Sequence, residues 1–251
     1  MSITDQATLQ VANWIETQLE AALGVVLQLN ASGPKSNSAD LMHWTGGKLF
    51  EFFAFVKVLN DLKLEPGVKL TVKKLHPGNT YLFNGGPGQL HPDHSHVAVQ
   101  KGGAEVATVW QNVEFTGIGF GAGAAANSGE YHEADVIVLQ GRSPVGPAPL
   151  RPNANQILLA MECKFTADMP KTYLRNMLGL RRVMSYVQSN THSPLWHPSS
   201  SLSQDLPASR GTLKSKTSHL VLAYSFALSG RKLGVDWSKP AQTFGIEYWQ
   251  C

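Results

Sequence analysis

Cysteine is nearly missing from this chain, with two in 251 residues, Cys163 and Cys251. Two thiols far apart, one of them inside an apolar run, suggest no disulfide framework, and a reducing compartment suits them. Charge is sparse as well, at 16% of residues with a net value of +3. That balance permits a polyanionic partner without demanding one. No apolar run approaches the roughly 20 residues of a membrane-spanning helix. The opening segment "MSITDQATLQVANW" lacks the basic start and apolar centre of a secretory leader. The expectation is a soluble cytoplasmic protein with no membrane partner. What the chain does have is hydrophobic content, 43%, enough for a packed core and against global disorder.

Periodicity predicts a first helix over residues 7–29, where Leu9, Ala12, Ile15, Leu19, Leu23 and Val26 form one apolar face. A Ser- and Asn-rich loop precedes a second, strongly apolar helix over 44–63. Four strand-like segments follow between 68 and 118, separated by Pro-Gly and Gly-Gly turns. A glycine-rich loop, "GIGFGAGAAANSG", leads to the strand "EYHEADVIVLQ", and a proline-rich loop leads to "QILLAMECKF". A helix is expected over 169–188, with Asp168 as its N-cap and Pro170 in its first turn. Residues 189–217 read as a surface excursion, and "SHLVLAYSFALSG" as a further buried strand. The economical reading is one α/β domain over 1–251. An N-terminal helix and loop occupy 1–40, the core 44–188, and a C-terminal strand and tail 189–251.

Four charged residues on apolar elements stand out. Side chains alternate along a strand, so Ile157, Leu159, Met161, Cys163 and Phe165 share one face and Leu158, Ala160, Glu162 and Lys164 the other. Alternation on the preceding strand groups Tyr131, Glu133, Asp135, Ile137 and Leu139, against His132, Ala134, Val136 and Val138. If the strands are neighbours, Asp135, Glu162 and Lys164 meet at one edge. On a helical wheel with Glu51 at zero, Leu62 falls near ~20°, Phe55 near ~40° and Val58 near ~340°. Glu51 therefore points with the apolar face. Burying a lone charge costs on the order of several kcal/mol, so each of these groups needs a partner or a ligand. Carboxylates converging beside a lysine suit Mg²⁺ chemistry on a phosphate, with the Cys163 backbone carbonyl as an extra ligand.

The order of a glutamate on a helix, "EAD" on a strand, "ECK" on the next strand and then a basic helix resembles the PD-(D/E)xK nuclease superfamily. The resemblance covers Glu51 and roughly residues 130–188. It implies a restriction-endonuclease-like core, a central mixed β-sheet flanked by helices and elaborated here by extra strands. It also implies a metal-dependent DNA endonuclease of restriction or anti-phage defence. Asp135 and Glu162 match the metal-binding acids, Lys164 the catalytic lysine and Glu51 the acidic residue of the first core helix. Ala134 stands where the motif has proline. Mg²⁺, with Mn²⁺ substituting, is the implied cofactor. DNA, a second copy of the chain and a defence-system protein are the implied partners. On the following helix Lys171, Arg175 and Arg182 fall within ~40° of one another, a stripe suited to phosphates.

Other readings remain open. Glu162 with Lys164 also fits a structural ion pair, and the fold also fits a nucleic-acid-binding or assembly module without cleavage. "HPDHSH", residues 91–96, offers His91, Asp93, His94 and His96 for a zinc hydrolase, although its setting between turn-rich sequence and a strand favours a surface loop. His132 is expected to point away from the acidic residues. The glycine-rich loop lacks the Lys-Ser/Thr of a phosphate-binding loop.

Overall fold

The fold is that of a computed structural model, which describes residues 5–24, 28–30, 46–77, 80–82, 88–117, 131–142, 146, 149–165, 171–184, 219–225 and 246–250. Expectations for the glycine-rich loop, for Asp168 and Pro170, and for 189–217 lie outside them.

The first helix, α1, spans Asp5–Leu23 rather than continuing to residue 29. Gly24 takes a left-handed conformation, φ 68°, and its N–H donates to the Glu20 carbonyl at 2.8 Å, which closes the helix. Val25 and Val26 follow, β-branched residues of lower helix preference. Gln28–Asn30 is then a short strand, β1, parallel to β3 at Thr80–Leu82. Helix α2 spans Gly46–Leu64 and buries Leu49, Phe52, Phe55, Val58, Leu59 and Leu62.

Seven strands form one mixed sheet in the order β2-β4-β5-β6-β7-β8-β9. They are β2 (Val68–Lys73), β4 (His96–Lys101), β5 (Ala104–Thr116), β6 (Tyr131–Gln140), β7 (Ile157–Phe165), β8 (His219–Ser225) and β9 (Ile246–Gln250). From β2 to β7 neighbours are antiparallel, while β7, β8 and β9 are parallel. The extra segments of 68–118 therefore extend the main sheet, except β3. A third helix, α3 (Lys171–Met184), lies between β7 and β8 in sequence, where a parallel pair needs a crossover.

Two apolar clusters define the layers. On one face α1 and α2 pack against Val97, Val109, Val136, Val138, Leu159 and Met161. On the other, Met177 and Met184 of α3 join Trp110, Phe115, Ile137, Leu139 and Ala160. The α/β expectation holds in this helix–sheet–helix arrangement.

Strict alternation fails at two points. On β7, Ile157 joins the α3-side cluster and Leu158 the α2-side cluster. The register passes from Val138↔Leu159 to Leu139↔Ile157, so Leu158 is the extra residue of a bulge. On β6, Ala134 and Val136 go to opposite clusters although both are two apart. On β5, Asn112 lies between the partners of Val136 and Ala134, and its φ of 48° breaks the extended run. The strand pair is thus re-aimed at Asp135.

Candidate active site

The β6–β7 ladder ends at Val136↔Met161. Beyond that pair β6 stays with β5 as far as Tyr131↔Thr116, and β7 stays with β8 as far as Phe165↔Ser225. The strands fork, and Asp135 and Glu162 are the first residue past the fork on each. Here a side chain replaces a strand partner: the Cys163 N–H donates to Asp135 Oδ2 at 2.6 Å. A strand residue presents its N–H and C=O to the same side, so the Cys163 carbonyl also faces the fork. The Cys163 thiol belongs to the α2-side core, where burial pushes its pKa well up.

A cavity of about 720 Å³ opens at the fork. Glu51, Glu133, Asp135 and Glu162 supply its acidic lining, Lys48, Lys164 and Arg175 its basic lining. Tyr173, Asn176, Met177 and Gly179 of α3 close the wall beside Arg175. The cavity therefore draws on helices from both faces of the sheet.

Its electrostatics are those of crowded carboxylates. Asp135 is only 6% exposed. Burial, then repulsion from Glu162 and Glu51, pushes its pKa up to about 8, against the opposing Cys163 N–H bond. Glu133 is raised by burial and by Glu162. Lys164 forms an ion pair with Glu162, and its ammonium lies 5.6 Å from the centre of the Tyr173 ring. Burial works against the Lys164 charge, yet Glu162, and then Asp135, hold its pKa above the ordinary lysine value. Lys164 is a cation here.

Glu51 is placed by α2 with its side chain 13% exposed, on the buried side that the wheel gives it. Lys48, one turn earlier, binds it at 2.6 Å and also donates to Asn112 Oδ1 at 3.2 Å. Lys48, Glu133 and Tyr173 are among the lining residues that the motif does not contain, and Asn112 stands behind them as an acceptor for Lys48. The i,i+3 spacing of Lys48 and Glu51 was a readable signal. Asn112 carried none, because its role depends on a backbone conformation.

Of the basic stripe, Arg175 reaches the cavity and is exposed. Lys171 and Arg182 lie on α3, with side chains outside the described residues. His132 also lines the cavity, and its ring lies 5.7 Å from Phe115. The expectation that it turns wholly away fails because the strand is re-aimed at Asp135.

The segment from His91 to Ser95 is a turn before β4, with the His94 N–H donating to the His91 carbonyl, and His96 is the first residue of the strand. Asp93 pairs with Lys74 at 3.0 Å. The buried His96 stacks on Trp110 at 3.8 Å, and burial lowers its pKa. These side chains are engaged in turn and core contacts. Among the described residues, no three His, Cys, Asp or Glu side chains already converge on a metal position, here or at the fork. At the fork, Glu162 and Glu51 are each turned to a lysine. The donor set there is still suited to a hard divalent cation, since such an ion relieves the carboxylate repulsion that lifts Asp135.

Comparison of the chain with known family models, with the curated proteins and with the solved structures finds no match in any of the three. Among the described residues, no helix is long and apolar enough to cross a membrane.

Proposed function

We propose that this protein is a metal-dependent nuclease of the PD-(D/E)xK type, acting on DNA through the fork between β6 and β7. The observation that carries the reading is the Asp135–Cys163 hydrogen bond at the end of the ladder, which sets Asp135, Glu162 and Lys164 around one cavity. The order of elements agrees with it, from the helix of Glu51 through the strands of Asp135 and Glu162 to a helix and a parallel strand.

Asp135 and Glu162 would hold Mg²⁺, with Glu51 and the Cys163 carbonyl as further oxygen donors. Bound there, the ion supplies charge stabilisation on a scissile phosphate and lowers the pKa of water. The chain's own groups do the rest. The Cys163 N–H fixes Asp135 Oδ2, and the residue lines the cavity. Lys164, kept protonated beside Glu162, orients the attacking water and offsets charge gathering on the phosphate. Arg175 and the α3 wall hold the substrate backbone. The products are a 5′-phosphate and a 3′-hydroxyl, as the family resemblance implies, and restriction or anti-phage defence is the setting it suggests.

A second reading is a nucleic-acid-binding module without cleavage. It draws on the pairing of both glutamates with lysines, Glu162 with Lys164 and Glu51 with Lys48. Incubation with plasmid, linear duplex, single-stranded DNA and RNA in Mg²⁺, Mn²⁺ or EDTA separates the two. Cutting in Mg²⁺ that stops in EDTA supports the nuclease. Binding without cutting in every condition supports the module.

A further inference from the structure

The nuclease reading leaves two charged groups of the cavity unassigned, Glu133 and Lys48. Lys48 belongs to α2, on the opposite face of the sheet from α3, and its side chain is 31% exposed. It lines the same cavity as Lys164 and Arg175 only because β6 and β7 part at the fork. Resting on that reading, we propose that Lys48 binds a backbone phosphate of the nucleic-acid strand on the α2 side of the scissile bond, opposite Arg175 on the α3 side.

Two observations distinguish this from an ordinary surface ion pair. The first is the way the ammonium is held. Glu51 accepts from it at 2.6 Å and Asn112 Oδ1 at 3.2 Å, so a helix residue is tied across to the sheet. The second is what holds Asn112. It is fully buried in the middle of β5, lies between Gln111 and Val113, whose partners Val136 and Ala134 flank Asp135, and has a φ of 48°. Asparagine tolerates that region better than most residues, but it remains an unfavourable choice within a strand. Its carbonyl accepts from the Gly88 N–H at 3.1 Å, and Gly88 in turn accepts from the Glu114 N–H at 2.8 Å. The local backbone is pinned, and backbone strain of this kind gathers at functional sites.

Charge placement gives the strand's path. Lys48 comes from the helix on one face of the sheet and Arg175 from the helix on the other, while Asp135 and Glu162 come from the strands between those layers. A polyanion crossing the fork meets a cation, the reaction centre and a second cation in turn. Glu51 neutralises Lys48 while the cavity holds no polyanion. Lys48 is therefore a substrate-positioning residue, recognising phosphate and no particular base.

The test is binding of fluorescent single-stranded and duplex DNA oligonucleotides in EDTA, followed by anisotropy across a salt series. The proteins are the unaltered chain, Lys48→Gln, Lys48→Met and Lys48→Arg. Removing one phosphate contact is expected to lower the slope of log K against log salt by about 0.7 for single strands and about 0.9 for duplex. The Gln and Met variants should both show this loss, and the Arg variant should keep the slope. Unchanged slope and affinity in both neutral variants, with DNA still bound in EDTA and still cut in Mg²⁺, would overturn the role of Lys48 alone. Failure of the unaltered protein to bind any oligonucleotide would overturn the nuclease reading, and this inference with it.

Discussion

Asp135 Oδ2 accepts a hydrogen bond from the Cys163 backbone N–H at 2.6 Å, at the point where the ladder between their strands ends. One carboxylate oxygen thus has a structural task, closing the fork, while the group as a whole faces the cavity. The two tasks separate by substitution. Asp135→Asn keeps an acceptor for Cys163 and removes the charge, whereas Asp135→Ala removes both. Urea unfolding should show Asp135→Ala less stable than Asp135→Asn by about 1–3 kcal/mol, the cost of leaving a buried donor without its partner. Equal stabilities would show that the bond contributes little.

The raised pKa of Asp135 makes stability depend on pH. An acid whose folded pKa is about 8 binds more protons folded than unfolded between the ordinary aspartate value of 3.8 and about 8. Its contribution therefore becomes less favourable as pH rises through that window, and is most adverse above pH 8. In EDTA, thermal midpoints should fall between about pH 5 and pH 9 for the native chain. Asp135→Asn should flatten that fall, and saturating Mg²⁺ should reduce it. A midpoint independent of pH in native and variant alike would contradict the crowding of Glu51, Asp135 and Glu162.

Lys164 is expected to act on the chemical step more than on binding. Lys164→Met should lower single-turnover cleavage by about 10²–10⁴-fold, the range typical of one positioned polar or proton-handling group. Oligonucleotide affinity should change far less. Tyr173→Ala, which removes the ring beside the Lys164 ammonium, should produce a smaller loss in the same direction. Undiminished cleavage by Lys164→Met would remove the lysine from the mechanism.

Arg175 should behave in the opposite way. It is exposed on α3 and lines the cavity, so Arg175→Ala should weaken binding of unrelated DNA sequences by similar factors. It should also reduce the salt slope by about one. A loss confined to one sequence would point to base recognition instead.

Much of the architecture was legible because burial imposes strong patterns. The buried side of α2 follows from its apolar spacing, and Glu51 lies at its margin for that reason. The strands of Asp135 and Glu162 are neighbours, which their shared design already suggested. Other features depended on the backbone. Strict alternation could not foresee the Leu158 bulge or the reversal at Asp135, because both arise from pairing with another strand. Asn112 was invisible for the same reason, since its left-handed conformation is a property of the Gly88–β5 contact and not of its neighbours in sequence. The end of α1 was readable in principle from Gly24, but the apolar repeat that runs on to Val26 masked it.

The central claim is that the fork is a metal-dependent phosphodiester-cleaving site. Single-turnover cleavage of end-labelled DNA, measured for native protein and Asp135→Asn in Mg²⁺ and in EDTA, tests it most directly. The account predicts cleavage to 5′-phosphate ends by the native protein in Mg²⁺ alone, and none by the folded Asp135→Asn variant. Equal cleavage by the two proteins, or cleavage that persists in EDTA, would contradict it.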